Sequence, residues 1–203
     1  MNNYAIKTIT AAQNEPIDKT EAKLHMAIDD STFDDLIEEY IKAARQYVEA
    51  ETHRQLVTAT YELIADRFAG SNNRIYLPFG QLQSVTSVKY IDTDGVEQTL
   101  DSSKYKVSDS REPAFIEPAY SESWPTARLE ADAVRIRFVC GYGAPNTVPG
   151  EIKHVLLMLV AHFFEHREAV AMNASAQVVP MGVPTLLKQF NLGDEFTWYE
   201  PAN

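Results

Sequence analysis

His162, Glu165 and His166 stand in H-x-x-E-H spacing within "HFFEH". On a helix, positions i and i+4 share a face, so two imidazoles there could ligate zinc while the carboxylate between them activates a water. That arrangement would make a metal-dependent hydrolase. A third ligand would have to come from downstream, where Glu168, Asp194, Glu195 and Glu200 are the remaining carboxylates, three of them in the acidic, aromatic end "DEFTWYEPAN". Histidines at a helix C-terminus also suit the helix dipole with no metal present. The motif therefore reads first as a helix end and second as a zinc hydrolase. The first reading assigns no catalytic residue, metal or cofactor.

The other candidate chemistry has bland explanations. "GYGAPN" follows a strand pattern, as a dinucleotide loop would, but Asn146 stands where a third glycine is needed and Pro145 removes a donor. It reads as a structural turn. Cys140, the only cysteine, ends a strand pattern and reads as a small buried residue that forms no internal disulfide. There is no G-x-S-x-G elbow. The adjacent acids Asp34 with Asp35 and Glu38 with Glu39 diverge around a helix and read as its solvated face.

These residues need elements to hold them. "EAKLHMAI" reads as a short helix, and "DDST" breaks it before a second helix capped by Asp30 or Ser31 and ending near His53. Phe33, Leu36, Ile37, Tyr40, Ile41, Ala44, Tyr47 and Val48 recur at three- and four-residue steps, which makes one apolar stripe. From Leu56 the period becomes alternating: "LVTATYELIADRF", "RIYLPF", "SVTSVKYID", "VEQTL", "KYKVS" and "AFIEP" read as strands of an inserted antiparallel sheet. Asp94 and Gly95 form a hairpin turn between two of them. Residues 118–132 read as a long loop pinned by Trp124 and Pro125 before a final strand from Val134. Pro149 then opens a helix reaching about Arg167, with Leu156, Leu159 and Phe163 on a broadly apolar surface that needs neighbours on most sides. A small-residue segment, "AVAMNASAQVVPMGVP", leads to a short amphipathic "PTLLKQF".

The fold expected is α+β: helical parts at 1–55 and 146–203, interrupted by an antiparallel β domain at 56–145. Eighteen Lys and Arg against twenty-nine Asp and Glu give a net charge of -11, which does not favour binding to phosphate backbones. The N-terminus lacks a signal-peptide pattern and no apolar run is long enough to cross a bilayer, so a cytoplasmic chain without membrane contact is expected.

Taken in order, these segments resemble the head-tail connector (adaptor) proteins of tailed bacteriophages and prophages, in the subgroup with a β region inserted between the helices. The resemblance is carried by "EAKLHMAIDDSTFDDLIEEYIKAARQYVEAETHRQL", "IYLPFGQLQSVTSVKYIDTDGVEQTL", "EPAYSESWPTAR", "VRIRFVCGYG", "VPGEIKHVLLMLVAHFFEHREAV" and "MGVPTLLKQF", covering residues 20–190. It implies a structural role in virion assembly. Subunits would form a ring below the portal, extend the DNA channel and present a platform for the next head-completion or tail protein. DNA would pass without specific binding, and the protein would reside in the virion neck after assembly in the host cytoplasm. Leu36, Ile37, Tyr40, Ile41, Leu156, Leu159 and Phe163 would pack the core or the subunit contacts. By the same analogy Leu186, Leu187, Phe190, Phe196, Trp198 and Tyr199 would dock on the portal. In that family the helix ends on aromatic-Glu-Asn-Arg-Glu where this chain reads "FEHRE", so the zinc-like spacing would be an accident of His166 in the asparagine place.

Overall fold

The structure, a computed structural model, describes residues 4–68, 73–166 and 182–193. It divides into a β unit, from the described parts of 1–13, 58–141 and 192–203, and a helical unit, from those of 14–57 and 142–191. The class is α+β. The change of period at Leu56 and the glycine turn at Gly141 both lie close to where the chain passes from one unit to the other.

In the β unit, strands β1 (Tyr4–Thr10), β2 (Ala59–Ala65), β4 (Leu82–Ile91), β5 (Glu97–Thr99) and β8 (Val134–Cys140) form a five-stranded sheet in the order β1-β2-β8-β4-β5. Every neighbouring pair is antiparallel. A three-stranded sheet combines β3 (Ile75–Tyr76), β7 (Phe115–Pro118) and β6 (Tyr105–Ser108) in the order β3-β7-β6. Alternation along β2 and β8 sends Leu63, Ala65, Val134, Ile136, Phe138 and Cys140 into one apolar core shared with Ile75, Leu77 and Ile116. Cys140 is buried there, as a small core residue.

Strand β1 departs from the sequence expectation, which placed residues 1–55 with the helices. "YAIKTIT" alternates, with Tyr4 and Ile6 half-buried against the core cluster and Ala5 and Lys7 exposed. Its partners on β2 lie fifty or more residues away in sequence, so local reading does not reveal the pairing. The β4–β5 hairpin is present, with Ile91 opposite Glu97. Of its two turn residues only Gly95 adopts a left-handed φ, of 84°. Asp92 Oδ1 organises the turn by accepting from the amides of Asp94 at 3.0 Å and Val96 at 2.9 Å. The amide bond from Val96 and the side-chain bond from Gln98 hold the Asp92 carboxyl below its usual range.

The loop after β7 is tied down by Trp124. Its ring stacks on Phe68, with centroids 4.9 Å apart and planes 7° from parallel, and its Nε1 donates to the Asn73 carbonyl at 3.0 Å.

The helical unit holds α1 (Lys19–Met26), α2 (Asp34–Thr52), α3 (Gly150–Glu165) and α4 (Gly182–Leu187), followed by a 3-10 turn at Lys188–Phe190. A reciprocal capping box starts α1: the Glu21 amide donates to Asp18 Oδ1 at 2.8 Å, and the Asp18 amide donates to Glu21 Oε2 at 3.0 Å. Neither Asp30 nor Ser31 caps α2 with its side chain, contrary to the sequence expectation. Phe33 occupies the cap position without a side-chain bond, because Asp30 Oδ1 is engaged by the Thr32 amide and hydroxyl one turn earlier. Acids in the first turn still complement the dipole, with Asp34 bridged to Lys23 at 2.8 Å and to Lys19 at 3.1 Å.

Helix α2 buries Ile37, Ile41, Ala44, Val48 and Thr52 at helical spacing, and Leu36 and Tyr40 flank that stripe half-buried. Helix α3 buries Ile152, Val155, Leu156, Leu159 and Val160, with Leu157, Met158, Phe163 and Phe164 half-buried around it. Aromatic edges close the α2–α3 contact: Phe33 meets Phe164 at 5.4 Å between centroids, and Tyr40 meets Phe163 at 6.1 Å. The described part of α3 ends at Glu165, and the expected extension to Arg167 lies outside the described residues.

Candidate docking surfaces

The end of α3 presents the histidine motif as a stack. The His162 and His166 rings lie 4.5 Å apart between centroids and 29° from parallel, and His166 Nδ1 is 3.2 Å from the His162 carbonyl oxygen. Glu165 is exposed beside them. Among the described residues no three of His, Cys, Asp or Glu group as metal ligands would. Of the carboxylates considered as a third ligand, Glu168, Asp194, Glu195 and Glu200 lie outside the described residues. The "GYG" stretch is a turn in which Gly141 and Gly143 adopt φ of 115° and 114°, followed by a 3-10 turn at Pro145–Thr147. Thr147 Oγ1 donates back to the carbonyls of Tyr142 and Ala144, so the loop is folded on its own backbone.

The segment expected to dock on a partner is divided by its own geometry. Leu187 is buried at 3 % exposure, together with Val183, where α4 meets α3 and α2. It therefore holds the segment in place and is not available as an anchor. Leu186 is 37 % exposed and Phe190 half-buried. Phe196, Trp198 and Tyr199 lie outside the described residues. Arg54 and Asn191 fix the end of this segment: Arg54 Nε donates to the Phe190 carbonyl, and Asn191 Nδ2 donates to the Glu51 carbonyl at 2.8 Å.

A polar knot invisible in the sequence lies beneath this end of α2. Arg45 Nε donates to Glu15 Oε2 at 2.7 Å and its Nη1 to Glu49 Oε2 at 2.8 Å. The other oxygen of Glu49 accepts from Gln55 Nε2 at 2.8 Å and from the Leu56 amide at 3.1 Å. Burial pushes the Glu49 carboxyl above its usual range, although the Leu56 amide and Arg45 both favour its charged form. An open cleft of about 600 Å³ adjoins α1 and α2, with Pro16, Ile17, Ile41 and Pro145 among its walls. Its carboxylates are already engaged, Glu15 with Arg45, Glu21 with Asp18 and Glu38 with Lys19. That leaves no acid–base pair converging on the cleft. The sequence reading also missed two nearly free apolar side chains on the loop pinned by Trp124, Tyr120 at 97 % and Leu129 at 87 % exposure.

Residues 18–118 match the phage gp6-like head-tail connector proteins. No curated protein matches the chain. Among solved structures, the chain resembles one in the neck of an empty gene transfer agent (GTA) particle computed with C6 symmetry. The TM-score is 0.76 at 21 % identity, over 92 % of this chain and 95 % of that one. A chain in the virion of a native GTA particle gives 0.72 at 18 % identity, over 92 % and 94 %. One in the neck of a native GTA particle computed with C12 symmetry gives 0.71 at 20 %, again over 92 % and 94 %. At these identities the likeness establishes the shared α+β fold across nearly the whole of both chains. The family match and this fold together show that the chain belongs to the phage gp6-like head-tail connector proteins, as a structural component and not an enzyme.

Proposed function

We propose that this connector works as a ring-forming adaptor: it docks below the portal, extends the DNA channel and offers a platform to the next head-completion or tail protein. The observation that carries this reading is the family match combined with a fold shared, nearly end to end, with chains of particle necks computed with C6 and C12 symmetry. A cyclic assembly requires heterologous contacts, in which two different patches of each chain meet around the ring. The net charge of -11 suits a channel wall that duplex DNA passes without sticking. The working location is the virion neck, reached after assembly in the host cytoplasm.

For the portal contact we assign Leu186 and Phe190 with the tail aromatics Phe196, Trp198 and Tyr199, while Leu187 anchors the segment from inside. Removing 182–203 would strip the buried Val183 and Leu187 and damage the helical core. The clean test is a chain lacking residues 194–203, assayed for capture by purified portal rings. Retained folding with lost capture is expected. Undiminished capture would move the docking surface off the tail.

A further inference from the structure

We infer that the outer face of the five-stranded sheet is a contact between copies of this chain and receives the acidic turn between α1 and α2 of the neighbouring copy. The inference rests on the ring reading above. With Leu63, Ile136 and Phe138 turned to the core, the register places Lys7, Glu62 and Arg137 in one row across the opposite face. Arg135 and Lys89 lie in the next row, where Glu97 reaches them from β5. In a chain of net charge -11 this face carries four cations, Lys7, Lys89, Arg135 and Arg137, against the carboxylates of Glu62 and Glu97. Two of the cations have capacity to spare. Arg135 approaches Glu97 only to 3.6 Å, and Lys7 has no ion-pair partner among the described residues.

Half-buried Ile64 and Val139 and exposed Ile9 lie among these charges. Aliphatic side chains beside arginine forks suit a protein surface better than a channel wall for DNA. Five strands about 4.8 Å apart, averaging about seven residues at 3.3 Å each, make a patch of about 550 Å², a large share of the roughly 800 Å² per partner that a stable contact uses.

The same chain supplies the complementary surface. At the turn between α1 and α2, Asp34 is neutralised by Lys19 and Lys23, and the Asp30 carboxylate is occupied by Thr32. Asp29 and Asp35 are exposed beside them without a cation partner among the described residues. A cationic sheet and an acidic corner at different places on one chain are the pair of unlike patches that a heterologous contact requires.

The test is sedimentation velocity of the full chain over a concentration series at low and physiological salt. It compares wild type, Lys7→Glu/Arg135→Glu, Asp29→Lys/Asp35→Lys and the combination of all four, each checked for folding by circular dichroism. Each pair of reversals should weaken self-association about tenfold or more, and the combination should recover to within about threefold of wild type. Unchanged association in the reversals, or no recovery in the combination, overturns this contact and leaves the ring reading standing. A wild type that stays monomeric throughout also overturns the contact, and portal capture then decides the ring reading separately.

Discussion

The two units bury polar groups differently. In the β unit the core is apolar, from Leu63 to Phe138 and Cys140, and its backbone groups are met by strand ladders. In the helical unit the end of α2 buries Thr52, Arg54 and Gln55, with Glu49 beside them bonded to Arg45, Gln55 and the Leu56 amide. An apolar core tolerates repacking when volume is kept, whereas a buried polar knot fails when one member is removed, because the remaining members lose their partners. The β unit should therefore respond to lost volume, and the helical unit to lost charge and to pH.

The largest effect expected is for Phe138→Ala on the central strand β8. The ring is fully buried, so its removal leaves a cavity and should cost about 3–5 kcal/mol. Guanidinium unfolding monitored by circular dichroism would show it as a lowered midpoint. A loss below about 1 kcal/mol would mean that the two sheets close the gap, and that the β core is softer than its packing suggests.

Glu49→Ala is the counterpart in the helical unit and should cost about 2–3 kcal/mol by stranding Arg45, Gln55 and the Leu56 amide. Its pH signature separates it from a volume effect. Burial raises the folded pKa of Glu49 above its unfolded value, so the folded state holds this proton more tightly. The stability contributed by that preference is complete below the ordinary glutamate range, about pH 4, and is lost as pH rises through the raised folded value. Urea midpoints of Glu49→Gln and wild type across that range test the sign. The variant lacks this term, so its advantage over wild type should grow, or its deficit shrink, as pH rises. A constant difference would break the contrast between the two units.

Gly95→Ala returns to the β unit with a smaller effect, about 1–2 kcal/mol by thermal unfolding. Its φ of 84° is strained for alanine, and the added Cβ would lie 2.5 Å from Arg128 Nη1, a flexible tip that can move aside. That hairpin is also where the sequence was most legible, because an Asp-Gly pair between alternating runs is a local signal. The stripe of α2 and the strand that ends in buried Cys140 were readable for the same reason: their periodicities are short. Other features were not readable. Strand β1 finds its partner across the whole first helical segment, the Asp30 carboxylate is diverted to Thr32 before it can cap α2, and Leu187 turns inward where the family resemblance implied an anchor. The knot around Glu49 joins Glu15, Arg45 and Gln55 through contacts that span up to thirty residues, and residue type alone does not separate a buried carboxylate from the solvated acids beside it.

The smallest effect is expected at the residue with the most suggestive spacing. His162 and His166 stack on each other at the end of α3, and the backbone bond from the His166 amide to the His162 carbonyl at 3.0 Å does not depend on either ring. His162→Ala removes the stack and a half-buried imidazole, while alanine is the better helix former. These terms oppose each other, so the net loss should stay within about 0.5 kcal/mol of wild type. Thermal unfolding of the variant, repeated with added zinc, is the check. A zinc-dependent rise in the wild-type midpoint that disappears in His162→Ala would show that the helix end does bind the metal its spacing suggests. An unchanged midpoint in both proteins leaves the motif as the end of a structural helix. It would also sharpen the contrast within the helical unit, because the histidine-bearing end of α3 would then contribute little beside the charged knot at the end of α2.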